Sequence, residues 1–143
     1  MFKGEYRHSI DAKGRIAVPA KFRAELGENI VINRYLDNCL ALYSEEGWQK
    51  EYEKLMKLNT YKADERRYLR ARISQTFDLT YDGQGRILVP QSLIQLASLV
   101  KDCVFIGTGD HVELWSKENW EPYLESLTDE EISSISENIP WNM

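Results

Sequence analysis

At 143 residues with 43% hydrophobic side chains, the chain is the size of one ordinary domain with enough apolar material for a packed core, yet its apolar runs are far too short to span a bilayer. A net charge of −5 argues against a uniformly basic surface, and the opening MFKGEYRHS lacks the apolar stretch of a secretory signal, so a cytoplasmic protein is expected. Cys39 and Cys103 each sit in an apolar run, without cysteine or histidine at metal-ligand spacing; they read as buried free thiols, and no metal or cofactor is expected.

In chain order, EYRHSI is a short strand, and DAKG turns tightly into a second strand, RIAV. Pro19 opens a brief helix, PAKFRAEL, because its fixed φ suits the first helical position, and Gly27 ends it. IVINR and CLALY are two more strands, with YLDN turning between them. Ser44 is a helix N-cap, Glu45 and Glu46 favour the positive end of the helix dipole, and Trp48, Tyr52 and Leu55 follow at helical spacing. The segment DERRYLRARI is a linking helix, with Arg66 and Arg70 four apart on one face and Leu69 and Ile73 on another. It reads as a solvated linker pairing with Asp64 and Glu65; a phosphate or subunit contact through Arg66, Arg67, Arg70 and Arg72 is the alternative.

The same elements then recur: TFDLTY, the turn DGQG, RILV, a helix from Pro90, CVFI, VELW and a helix after Ser116. The chain ends acidic, with Glu118, Glu121, Glu125, Asp129, Glu130, Glu131 and Glu137 against Lys117. Tyr123, Leu124 and Leu127 give that stretch an apolar side. It reads as solvated surface, or as a subunit contact. The negative net charge therefore comes from the end, whereas Lys3, Arg7, Lys13, Arg15, Lys21 and Arg23 make the beginning basic, and a local basic face is what a polyanion would feel.

DAKGRIAVP and DGQGRILVP belong to a longer repeat. A shift of 71 places Asp11, Gly14, Arg15, Ile16, Val18 and Pro19 on Asp82, Gly85, Arg86, Ile87, Val89 and Pro90. After one inserted residue, Leu42, Tyr43 and Ser44 meet Leu114, Trp115 and Ser116, while Trp48 meets Trp120 and Leu55 meets Leu127. Two copies of one unit account for this run. The expected divisions are unit one at 5–47, a helical linker at 48–75, unit two at 76–119 and an acidic C-terminal helix and tail at 120–143. Each half is too small to bury a sufficient core alone. The expected fold class is therefore α+β, with two pseudo-repeated halves interleaving their hairpins into one closed barrel that leaves no free strand edge.

Geometry alone accounts for most of the turn. Asp11 and Asp82 can accept backbone N–H bonds, and Gly14 and Gly85 can take the positive φ that tight hairpins need. The arginines are not explained that way. Alternation along RIAV sends Ile16 and Val18 to the core and turns Arg15 outward, with Arg86 likewise in the second copy. An exposed Asp–Arg pair contributes only ~0–1 kcal/mol. A guanidinium aimed by its aspartate, in contrast, fits a phosphate or the O6/N7 edge of guanine at two points. Lys13 and Gln84 occupy equivalent positions in the two turns, so the turns should contribute unequally.

Catalytic signatures are absent: no G-x-x-x-x-G-K-[ST], no G-x-S-x-G and no H-E-x-x-H. His8 and His111 do not occupy equivalent positions of the repeat, so an enzyme is not expected.

The doubled D-x-x-G-R-[ILV]-x-[VI]-P, the opening MFKGEYRHSIDAKGR, the ERR at Glu65 to Arg67 and the ELW at Glu113 to Trp115 resemble the MraZ family, bacterial regulators built from two AbrB-like swapped-hairpin units. The resemblance covers nearly the whole chain. It implies a double-split β-barrel with flanking helices and a sequence-specific transcriptional regulator that binds double-stranded DNA. The implied targets are direct repeats upstream of a cell-division and cell-wall gene cluster. It also implies a ring-shaped homo-oligomer, cytoplasmic and nucleoid-associated, with no membrane partner. By that resemblance Arg15 and Arg86 read DNA, with Asp11 and Asp82 as their partners. An AbrB-like antitoxin or protein-binding module is the alternative, although such antitoxins carry one unit and a disordered tail.

Overall fold

The computed structural model describes residues 1–142. The described chain runs β1 (Phe2–Ser9), β2 (Arg15–Ala17), α1 (Ala20–Leu26), β3 (Asn29–Arg34), β4 (Leu40–Ser44), α2 (Glu45–Leu55), α3 (Ala63–Ile73), β5 (Thr76–Thr80), β6 (Arg86–Leu88), α4 (Gln91–Leu96), β7 (Asp102–Gly109), β8 (Val112–Ser116), α5 (Lys117–Ser126) and α6 (Asp129–Asn138). This is a mixed α+β fold. Six strands form an antiparallel sheet in the order β1-β7-β8-β4-β3-β5, and β2 pairs with β6 in a separate two-stranded ribbon. The order is open, with β1 and β5 at its ends. Among the described residues, no helix is long and apolar enough to cross a membrane.

Strands from far apart in the chain hold one another. β1 lies on β7 from Phe2↔Gly109 to Ser9↔Asp102, and β5 lies on β3 from Asn29↔Thr80 to Asn33↔Thr76. The long β1–β7 pairing explains why both strands exceed the segments EYRHSI and CVFI, since each continues as far as its partner supplies hydrogen bonds. Pro19 and Pro90 differ from expectation by one position. Both are extended N-caps (ψ 134° and 141°), and the Pro19 carbonyl accepts from Phe22 and Arg23, the role of an N-cap carbonyl.

The main core lies where the ribbon meets one face of the sheet. Ile16, Val18, Ile87 and Val89 from the ribbon pack there with Phe22 and Leu26 of α1, Leu93 of α4, and Ile30, Ile32, Leu40, Leu42, Phe105 and Leu114 of the sheet. The opposite face carries the larger helices. Val31, Ala41 and Tyr43 pack with Trp48 of α2, and Val104 and Trp115 pack with Trp120 of α5. Cys39 and Cys103 are buried free thiols, as their apolar settings imply. Ser44 and Ser116 each cap the following helix, accepting from the N–H of Gly47 and Asn119.

The linking helix differs from a solvated linker. Arg72 in the last turn of α3 is 3% exposed and points inward. It donates to Tyr68 Oη at 2.8 Å and to Glu51 Oε2 at 3.1 Å, and its guanidinium lies over the Tyr35 ring at 4.9 Å. Arg66 bonds the Thr60 carbonyl, and Glu65 accepts from the Asn59 N–H rather than from an arginine. The acidic stretch after Ser116 is also two helices rather than one. Leu127 leaves helical geometry (ψ 63°), and Thr128 caps a new start by accepting from Glu131 N–H.

Candidate nucleic-acid interface

The two D-x-x-G-R turns have the same internal geometry. Asp11 Oδ1 accepts from the N–H of Lys13 (3.0 Å) and Arg15 (2.8 Å), and its Oδ2 accepts from Arg15 Nε at 2.7 Å. Asp82 does the same with Gln84 N–H (2.8 Å), Arg86 N–H (3.0 Å) and Arg86 Nε (2.8 Å). The backbone closes each turn through Gly14 N–H to Asp11 O and Gly85 N–H to Asp82 O. Both glycines sit at positive φ, 87° and 72°, where an L side chain is strained. Backbone N–H bonds from Arg15 and Arg86 respectively, reinforced by the two guanidinium groups, hold both carboxyls below the ordinary aspartate value. Each aspartate thus fixes the turn with one oxygen and its arginine with the other.

The ribbon brings the turns together. Val18 N–H donates to Gly85 O at 3.2 Å and Val89 N–H donates to Gly14 O at 2.8 Å, so each turn receives the end of the other strand. Ile16 faces Ile87 across the ribbon, and both are fully buried. Arg15 lies opposite Leu88, and Ala17 lies opposite Arg86. Directly opposed residues share a face. Arg15, Ala17, Arg86 and Leu88 therefore make one outer surface, with the arginines on its diagonal. Their side chains are 36% and 27% exposed. Arg86 Nη1 also comes within 4.0 Å of Asp11 Oδ2, which links the two Asp–Arg pairs. Lys13 and Gln84 are exposed at the tips.

Three residues of this region were not singled out by the motif. Arg23 of α1 donates to Val18 O at 2.9 Å and packs against Gly85; Ile94 of α4 packs against Gly14. The shift of 71 relates Arg23 to Ile94, so the repeat register was the signal that could have found them. Leu88, 58% exposed beside the arginines, follows from the same alternation that turns Arg86 outward. Arg7 is less available than its place in the basic N-terminal stretch suggests, because Glu5 and Glu121 both pair with it. Among the described residues, no group of His, Cys, Asp and Glu is arranged to hold a metal ion.

Comparison with known proteins matches the chain to a family model. The family described as "MraZ protein, putative antitoxin-like" matches twice, over residues 1–71 and 73–139. The transcriptional regulator MraZ of Caldanaerobacter subterraneus subsp. tengcongensis is 45% identical over 139 residues, 97% of this chain and 96% of that protein. Proteins of the same name from a Thermoanaerobacter species and from Clostridium tetani are 45% and 44% identical, over 97% and 92% of this chain and 96% and 92% of their own lengths. With a family match along almost its entire length and relatives at this identity, the chain belongs to the MraZ family.

Proposed function

We propose that this transcriptional regulator binds double-stranded DNA sequence-specifically through the outer face of the β2–β6 ribbon, with Arg15 and Arg86 contacting base edges. The observation that carries the reading is the reciprocal bonding of the two turns, which puts two aspartate-aimed guanidinium groups on one rigid, two-stranded face. A two-stranded ribbon fits the major groove, and an arginine fork matches guanine O6/N7. Lys13 and Gln84 at the tips reach toward the phosphates, and the exposed Leu88 offers an apolar contact of the kind a thymine methyl accepts.

The exchange of β1 and β5 between the sequence halves, together with the double family match, supports two AbrB-like units, 5–47 and 76–119, in a double-split barrel formed by the sheet and the ribbon. On this reading the protein acts in the cytoplasm on the nucleoid as a homo-oligomeric ring. One protomer offers few cations, so several protomers engage spaced direct repeats, upstream of a cell-division and cell-wall gene cluster, by effective concentration. The reading is that of a regulator, not an enzyme. The antitoxin alternative predicts a small toxin co-purifying stoichiometrically from the native host. Selection from random duplex DNA, followed by sequencing, tests the proposal. Recovery of evenly spaced direct repeats supports it; recovery of no shared sequence overturns it.

A further inference from the structure

Two unpartnered apolar surfaces, of opposite charge, lie outside the DNA-facing ribbon. The first is α6. Ile132, Ile135 and Ile139 recur at i, i+3 and i+7 along one face, each is at least 40% exposed, and the helix buries none of its residues. Its charged residues are Asp129, Glu130, Glu131 and Glu137, with no lysine or arginine from Thr128 to Asn142. The second is a groove of about 590 Å3 between the end of α2 and α3, lined by Met56, Leu69 and Ile73 with Arg70 and Ser74 at its edge. Arg67 and Lys57 are exposed nearby, and among the described residues neither they nor Arg70 form an ion pair.

We propose that the α2–α3 groove receives α6 of a second copy of this chain, Ile132, Ile135 and Ile139 filling the apolar floor while the acidic flanks of α6 meet Arg67 and Arg70. Charge complementarity selects this occupant: a DNA strand would not cover an apolar floor, and the acidic apolar helix it fits is carried by every copy. Leu69 and Ile73 lie four residues apart, the ridge spacing into which a second helix packs. Helix and groove are different surfaces, so the contact is heterologous; repeated from copy to copy, it closes a ring or runs on as a filament. The contact rests on the self-assembly proposed above and names where it occurs.

Disulfide capture tests it. Chains carrying Ile135→Cys are mixed with chains carrying Leu69→Cys and oxidised; Cys39 and Cys103 are buried and stay silent. A covalent dimer that forms in the mixture, and not with either variant alone, is expected. In parallel, Ile132→Asp/Ile135→Asp is expected to lower the mass by light scattering at unchanged circular dichroism, because both side chains are exposed. A multimer whose mass that variant leaves unchanged, with no captured dimer, overturns this contact and leaves self-assembly standing. A wild-type chain that is monomeric across a dilution series overturns both. An intrachain disulfide in the Leu69→Cys/Ile135→Cys double variant at high dilution makes the chain's own helix the occupant and overturns the contact between copies.

Discussion

The guanidinium of Arg23 lies against Gly85, so close that a methyl group on that glycine would come within 2.8 Å of Arg23 Cζ. Arg23 is anchored there by its bond to the Val18 carbonyl at the end of the ribbon. A residue of the first half thus backs the turn of the second half. The second half returns the arrangement with Ile94, whose Cδ1 would lie 3.1 Å from a methyl on Gly14. The turn that has Gln84 where the other has Lys13 is also the turn with an arginine behind it.

This relationship has a measurable energy. Gly85→Ala is expected to cost about 1–2 kcal/mol from the left-handed backbone alone, and more from overlap with Arg23. Arg23→Ala in the same chain relieves the overlap, so the two changes should be less than additive in a double-mutant cycle followed by urea unfolding. Strict additivity would mean that Arg23 moves aside freely. Arg23→Ile, which makes the second turn resemble the first, should leave the fold intact and weaken DNA binding by removing a cation beside the second turn.

Arg15→Ala and Arg86→Ala should each weaken specific binding by ~1–3 kcal/mol, the worth of one bidentate base contact. Lys13→Ala should instead weaken binding to all sequences alike and reduce the slope of log K against log salt by about 1. Fluorescence anisotropy on selected and scrambled duplexes, over a salt series, separates the two behaviours. If Arg15→Ala/Arg86→Ala still selects its site from random DNA, the arginines serve the turns alone.

Two pH dependences of opposite sign follow from the titrating groups. Asp11 and Asp82 have folded pKa values below 3.8, so their contribution to stability is complete above 3.8 and is lost as the pH falls through the depressed values. His111 behaves conversely. Burial disfavours its charged form, but Glu113 at 3.6 Å from Nε2 and Asp110 at 2.7 Å from Nδ1 outweigh burial and hold its pKa above 6.5. Its contribution is full below 6.5 and is lost as the pH rises through the raised value. In denaturation between about pH 6 and about pH 8, wild-type stability should decline relative to that of His111→Gln, because His8, held below 6.5 by burial and by Arg23, gives both proteins the opposite trend. An identical decline in the variant would remove His111 as its cause.

Arg72→Ala should be among the costliest single changes, at about 3–5 kcal/mol, because it leaves the Glu51 carboxylate largely buried without its counter-ion. Arg72→Met together with Glu51→Leu should recover much of that loss, since the pair then disappears whole. Thermal melts of the three proteins decide the matter.

How much of this was legible in the sequence differs from residue to residue. The strands, the small helices and the Ser44 and Ser116 caps were readable because each is fixed by local chemistry: alternation, a proline, a glycine, a hydroxyl one position before a helix. Asp11, Gly14 and Arg15 could be assigned one geometry and their counterparts a second copy of it, because the whole pattern lies within five residues. The inward turn of Arg72 was not readable. A fourth arginine on an arginine-rich helix looks like the other three, and what separates it is Tyr35 and Tyr43, brought beneath α3 by the sheet, and Glu51, brought there by α2. The break at Leu127–Thr128 was missed for a different reason: the acidic composition runs on through it. The contact of Arg23 with Gly85 crosses between halves, and the length of β1 depends on a partner near the other end of the chain.

That last dependence bears on how the protein comes into being. Phe2 finds its partner only when Gly109 has been made, and Arg15 gains its neighbour across the ribbon only with Leu88. At a synthesis rate of roughly 5–20 residues per second, the beginning of a nascent chain waits several seconds before these partners exist. Pairings this distant in sequence also close slowly. A chain released midway through synthesis therefore lacks β6, and with it the proposed reading face. On the proposed reading, competence to bind arrives late, and for both turns at once.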